Sequence, residues 1–276
     1  MSVLLEVSGL TRIHGRGCPR CFIETGPDHG TNRCPACGSV VALNRVSLTL
    51  NRGEVVGVIG ESGSGKSTLV RLLCFDEPPT AGRAVFHDGD RKVDLFALDA
   101  ARQRAFRDTH LGVVYQNPML GLDLSISAGG NIAERLIASE KVRYVFLRNR
   151  ASELLARTGV PATRMDEPPK RFSGGMQQRV QIAKALATEP PLLLLDEITT
   201  GLDLSVQARI LDLVLELQEQ LEISMLVVTH DLGVVRHLAS RTLVMRHGAV
   251  VEAGLTDQIL EGPRHPYTQE LVSAAL

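Results

Sequence analysis

Eight residues limit what this chain can fold into more than any others. Gly60-Glu61-Ser62-Gly63-Ser64-Gly65-Lys66-Ser67 fits the spacing G-x-x-x-x-G-K-[ST]. The stretch stands between an apolar run, EVVGVI at 54–59, and the apolar STLVRLLCF at 67–75. Strand, glycine loop and helix in that order open an α/β unit. The glycines let backbone wrap close to phosphate without a Cβ in the way. Successive N–H groups then point inward, and the helix N-terminus adds a favourable dipole. Lys66 is expected to reach the β and γ phosphates, Ser67 to offer its hydroxyl to Mg²⁺, and Thr68 to complete the nucleotide-binding run. A glycine-rich turn that binds nothing is the alternative, and the flanking strand and helix argue against it.

A second site lies far along the chain. Leu192-Leu193-Leu194-Leu195 reads as a fully buried strand and ends in Asp196-Glu197. Two acids at the carboxyl end of such a strand belong beside a phosphate loop. Asp196 is expected to hold Mg²⁺, and Glu197 to polarise the attacking water as general base. The plain alternative is that Asp196 only caps a following helix.

The remaining organisation agrees with an α/β chain. Val3–Leu10 and Val40–Leu50 read as N-terminal strands, and residues 127–169 as helical. After Phe172 strand and helix alternate: a helix over Ser205–Glu222, a strand over Ser224–Val228 and a helix over Asp231–Ala239. A hairpin turning at His247-Gly248 follows, and PYTQELVSAAL is a closing helix candidate. Hydrophobic residues make up 44% of the 276, enough to bury a core. Thirty Lys plus Arg against 31 Asp plus Glu give no electrostatic case for nucleic acid. No apolar run reaches the roughly 18 residues that a membrane span needs, and the N-terminus lacks a signal-peptide layout, so a cytoplasmic chain is expected.

Four of the five cysteines, Cys18, Cys21, Cys34 and Cys37, form C-x2-C-x12-C-x2-C. Each Cys-Pro-x-Cys turn can aim two thiolates at one point, and Gly38 eases the second turn. Two such turns suit a closed tetrahedral site for structural Zn²⁺ with no position left for water. Iron in a rubredoxin-like site, a disulfide pair or unliganded thiols remain alternatives. Cys74, in LVRLLCF, reads as a small core residue.

Between the two phosphate-site motifs lies Phe172-Ser173-Gly174-Gly175-Met176-Gln177-Gln178-Arg179, which resembles the LSGGQ signature of ATP-binding-cassette (ABC) proteins. Gln116 in VVYQNP matches the family's Q-loop, Thr200-Gly201-Leu202-Asp203 its D-loop, and His230 in VVTHD its switch histidine. The resemblance covers almost the whole chain apart from residues 15–39. It implies a P-loop NTPase fold, the ABC nucleotide-binding domain, over 1–276. This carries an N-terminal antiparallel β region and a helical subdomain over 127–171, to which the cysteine spacing adds a small zinc-ribbon-like insert over 15–39 that the resemblance does not cover. It further implies ATP as substrate, with Gln116 joining the Mg²⁺ site and His230 contacting the γ-phosphate. Ser173, Gly174, Gly175 and Asp203 would close over the nucleotide of a second cassette, either an identical copy or another ABC ATPase. The adenine-stacking position falls on His14, where the family has an aromatic residue, and Ile198 replaces the usual Pro after the catalytic Glu.

The stretch GVVYQNP at 112–118 and SAGGNIAERL at 127–136 are more particular. With FSGGMQQR, GLDLSVQARILDLV, THDLGVVRHLA and GLTDQILEGPRHPYTQELV they look like the PhnK-type ATPases of the carbon–phosphorus lyase system, which dock on a soluble lyase core. Peptide or nickel importer ATPases, which serve a membrane permease, share the HPYT ending and are the runner-up. Ribosome- or DNA-acting cassettes are a third class, and they often carry two cassettes per chain. The 127–136 stretch is expected to face the partner; the plain alternative is that Ser127 only caps a helix while the glycines pack tightly.

Overall fold

The structure, a computed structural model, describes residues 2–138 and 143–274. Residues 139–142 of the expected helical subdomain and 275–276 of the expected closing helix lie outside the described residues. The chain divides into two compact units: one takes in everything up to Asp99 and again from Leu226 onward, the other is Ala100–Met225.

The first unit opens with β1 (Val3–His14) and β2 (Val40–Asn51), paired antiparallel from Val3 against Asn51 to His14 against Val40. β1 outruns the apolar stretch that announces it. Its polar end is held by side-chain bonds: Thr11, buried, donates to the Gly9 carbonyl of its own strand and accepts from Arg45 N–H of β2, and Arg12 pairs with Glu77 in the loop before the next strand. Then come β3 (Val55–Ile59), buried throughout, and α1 (Lys66–Leu73). β4 (Ala81–Asp88) and β5 (Arg91–Asp94) complete a sheet ordered β2-β1-β4-β5. The last two strands are half exposed and polar, so no clean alternation marks them in the sequence.

The second unit contains α2 (Ala100–His110), β6 (Leu111–Val114), the single turn α3 (Pro118–Gly121), α4 (Ala128–Ala138), α5 (Tyr144–Arg157) and α6 (Gly174–Ala185). β7 (Leu192–Asp196), parallel to β6, and α7 (Leu204–Leu221) follow. β8 (Ser224–Val228) then carries the chain back into the first unit. There α8 (Leu232–Leu238), β9 (Arg241–Arg246), β10 (Ala249–Leu255), α9 (Thr256–Glu261) and α10 (Pro266–Ser273) follow. β9 runs parallel to β3 and antiparallel to β10, and the hairpin turns at His247-Gly248, both at positive φ. Among the described residues no helix is long and apolar enough to cross a membrane.

α4 buries one face and leaves the other, with Glu134, toward solvent. The particular residues of SAGGNIAERL face inward: Ala128, Asn131, Ile132 and Leu136 are buried. Ser127 Oγ caps the helix by accepting from Gly130 N–H at 3.0 Å. A Cβ on Gly129 would meet Met165 Cγ at 2.6 Å. Asn131 Oδ1 accepts from Asp123 N–H at 2.8 Å, and its Nδ2 donates to the carbonyls of Asp123 (2.9 Å) and Ser127 (3.1 Å). Helix capping and close packing explain this segment without a partner. Asn131→Ala should therefore destabilise the second unit by about 1–3 kcal/mol, because it removes three hydrogen bonds made by a fully buried side chain. Chemical denaturation checks it: unchanged stability would show that these bonds contribute nothing.

Candidate functional site

The phosphate loop leaves β3 and enters α1 with its backbone pressed against neighbouring strands of the first unit. At Gly60 (φ +149°) a Cβ would lie 2.2 Å from the Met245 carbonyl oxygen, and at Gly65 (φ +108°) 2.4 Å from that of Ala42. Only glycine fits either place. Lys66, 4% exposed, folds back so that Nζ donates to the carbonyls of Gly60 (2.7 Å) and Glu61 (2.9 Å). Its charge is thus held over the concave face of the loop. Ser64 Oγ is buried there with no hydrogen-bond partner among the described residues. The residues Glu61, Ser62 and Gly63 at the tip are exposed, Ser67 and Thr68 half-buried on the first turn of α1. A glycine cradle, a buried ammonium at a helix N-terminus and a hydroxyl beside it fit a Mg²⁺–triphosphate.

The loop is bolted from the C-terminal side by a residue that local sequence reasoning passes over. Tyr267, 1% exposed, accepts a hydrogen bond at 3.0 Å from Glu61 N–H through its hydroxyl. Burial pushes its phenol up from the ordinary value, which keeps the hydroxyl neutral. Arg246 stacks over the ring at 4.5 Å, and His265 Nδ1 caps α10 by accepting from Tyr267 N–H. The HPYT segment thus has a structural meaning, visible in sequence only as a familiar ending. His230, exposed, sits between Thr229, whose N–H donates to Val58 O, and Asp231, which caps α8. His14 ends β1, its Nε2 3.8 Å from Glu77 Oε2, a carboxylate that Arg12 and Arg71 also approach.

In the second unit, Asp196 and Glu197 stand at the end of β7, as the strand pattern predicts. Glu197 is at φ +50°, an uncommon backbone state for a residue with a side chain, costing about 1–3 kcal/mol. Its Oε2 accepts from Gln116 Nε2 (3.1 Å) and Thr200 Oγ1 (3.2 Å). The Q-loop glutamine and the carboxylate, 81 residues apart, are therefore in direct contact. Ser173 caps α6 by accepting from Met176 N–H, and a Cβ on Gly175 would lie 2.5 Å from Val206 Cγ1. Gly174 and Gly175 thus begin α6 packed against the start of α7. Asp203 caps α7: bonds from Val206 N–H (2.9 Å) and Ser205 Oγ (2.8 Å) hold its carboxyl below the usual range.

The four insert cysteines converge. Their sulfurs all lie within 4.8 Å of one another. Cys18 and Cys34 are 3.7 Å apart, Cys18 and Cys21 3.9 Å, Cys21 and Cys37 3.5 Å. A disulfide needs about 2.05 Å. Tetrahedral zinc with Zn–S near 2.3 Å sets sulfurs roughly 3.8 Å apart, so the donors fit that ion. Burial pushes the Cys21 thiol up to about 12, while bonds from the Ser39 hydroxyl and N–H bring Cys37 down to about 6. Cys74 is buried in the core.

Residues 43–200 match the family described as ABC transporter. The chain is 50% identical over 231 residues to a relative named for phosphonates utilization, the ATP-binding protein PhnK of Escherichia coli (strain K12), covering 84% of this chain and 90% of that one. It is 40% identical over 242 residues to the oligopeptide transport ATP-binding protein OppD of Bacillus subtilis (strain 168), covering 86% and 67%. Among solved structures, the dimeric post-hydrolysis state of the ATP-binding cassette MJ0796 bound to ADP and Pi superposes with a TM-score of 0.76 at 28% identity, covering 92% of this chain and 99% of that one.

Tyr267→Phe removes one hydrogen bond and keeps the ring. We expect a stability loss of about 1 kcal/mol and a raised KM for ATP with kcat nearly unchanged. Steady-state ATPase kinetics decide it: an unaltered KM would show that the loop holds its shape without the bolt.

Proposed function

This chain is an ATP-binding-cassette ATPase of the ABC transporter family, and we propose that it hydrolyses ATP with Lys66 on the transferring phosphate, His230 on the γ-phosphate and Glu197 as the base. Glu197 accepts a proton from water as the water oxygen bonds to the γ-phosphorus, while the bond to the β–γ bridging oxygen breaks and leaves with ADP. Gln116 and Thr200, which hydrogen-bond Glu197, orient that carboxylate. Ser67, Asp196 and Gln116 would hold Mg²⁺, which when bound offsets phosphate charge. Gly60 to Thr68 wrap the phosphates and His14 stacks on adenine. Ser173, Gly174 and Gly175 close over the nucleotide of a second copy or of another ABC ATPase, with Asp203 fixing the adjoining helix start. The dimeric state of the ADP-bound cassette supports this pairing. Zn²⁺ at the four cysteines is structural in this reading, since four thiolates leave no open position.

The motor serves phosphonate breakdown in the cytoplasm, docked on a soluble carbon–phosphorus lyase core, with no nucleic acid involved. One observation carries this: identity to PhnK is 50% and spans 90% of that protein, whereas identity to OppD is 40% and spans 67% of it. The inward-facing α4 residues lend it no support. Deleting the gene should abolish growth on a phosphonate as sole phosphorus source while phosphonate uptake continues. Loss of uptake with intact cleavage would show an importer subunit served by a membrane permease.

Glu197→Gln should lower kcat by about 10²–10⁴-fold with ATP binding retained, and should trap a nucleotide-bound dimer. Wild-type turnover by this variant, read in a phosphate-release assay, would remove Glu197 from the role of base. Ser173→Ala should also slow hydrolysis, while a single isolated chain carrying it binds ATP normally.

A further inference from the structure

The cysteine insert is joined to the phosphate loop within the first unit. Cys21 and Cys34 pack with Val41 of β2 in one buried cluster, with Ile13 of β1 and Cys18 against it. The insert's return segment runs beside the start of β2: Cys34 N–H bonds to Ser39 O, and Val41 N–H to Asn32 O, each at 2.8 Å. Two consequences reach the loop. The next residue of β2, Ala42, supplies the carbonyl that presses on Gly65. Asn32, its own carbonyl anchored by Val41, turns its side chain outward so that Nδ2 donates to the Gly63 carbonyl at 3.4 Å. That bond links the insert to the loop tip, across 31 residues of sequence. Phe22 adds a further tie, with Arg45 of β2 over its ring at 5.5 Å.

We propose that the Zn²⁺-loaded insert is a positioning element for the phosphate loop, with Asn32 as the contact through which metal occupancy sets nucleotide affinity. The proposal rests on the reading of Cys18, Cys21, Cys34 and Cys37 as a zinc site and of residues 60–67 as the ATP loop. Loaded, the four thiolates hold both arms of the insert together, and Asn32 lies two residues from Cys34. Unloaded, no disulfide or ion pair among the described residues joins the two ends of the 12-residue stretch between the cysteine pairs. Residues 22–33 then gain conformational freedom, and the Asn32 bond must be formed against that entropy. Metal loss is therefore read out at Gly63 as weaker gripping of the β- and γ-phosphates. Asn32 touches no substrate atom in this account; it acts through the backbone of the loop.

The test uses the full-length protein, its metal content by elemental analysis, and its affinity for a fluorescent ATP analogue. One zinc per chain is expected, lost in the Cys18→Ser/Cys21→Ser variant. Asn32→Ala should keep its zinc and bind the analogue roughly fivefold more weakly, the scale of one modest hydrogen bond. Stripping zinc from the unaltered protein should weaken binding at least as much, with recovery on adding Zn²⁺ back. Stripping zinc from Asn32→Ala should then cost little more, because the two changes remove the same contact. A merely structural metal would instead give additive losses, or none. Equal affinity of loaded and stripped protein, or an unaffected Asn32→Ala, would overturn the coupling with the zinc site intact. Protein that holds no zinc, or holds iron instead, would overturn the metal assignment. Lys66→Ala is the control on the loop: if it binds the analogue normally, the ATP-loop reading itself fails.

Discussion

Two backbone carbonyls occupy the space where residues 60 and 65 would otherwise carry side chains. Met245 of β9 and Ala42 of β2 come within contact of Gly60 and Gly65, and everything about the phosphate loop follows from that closeness. It fixes the loop against two strands at once, which is why an exposed glycine-rich tip can still hold one shape. It also leaves Lys66 one direction in which to fold, over the carbonyls of Gly60 and Glu61. A lysine buried to 4% exposure is stable here because its charge is bonded and because an anion is the ligand the cradle suits.

The carboxylate side of the chemistry is organised differently. Glu197 is held by strain and by two hydrogen-bond donors rather than by steric closeness. The left-handed backbone at this residue turns its side chain away from the strand direction, and Gln116 and Thr200 settle where it points. Ile198, at the family's usual proline position, is buried, so the turn is supported by packing. The four cysteines follow a third principle. Two short turns are brought together by a small apolar cluster around Val41, which places the sulfurs at ion-binding separations.

What the sequence made legible divides along physical lines. β3, β7 and β8 are apolar because both faces are buried, and their bounds are read from the chain almost residue for residue. The loop, the acid pair and the cysteine pairs are local motifs, so spacing alone finds them. β4, β5 and the far end of β1 escape because their polar residues are satisfied by partners distant in sequence, such as Glu77 for Arg12. Tyr267 and Asn32 escape for the same reason: each reaches the loop by a single long-range bond that no periodicity encodes. In SAGGNIAERL, Gly129 and Asn131 are set by a tightly packed helix start, while Glu134 lies on the exposed face of the same helix.

The bolt from Tyr267 to Glu61 also orders events in time. A ribosome makes the loop early, yet the residue that satisfies Glu61 is added 206 positions later, and the Met245 carbonyl that seats Gly60 comes not long before it. A nascent chain that already displays all eight loop residues still lacks the surfaces that shape them. Tight gripping of nucleotide therefore waits until the chain has passed Tyr267.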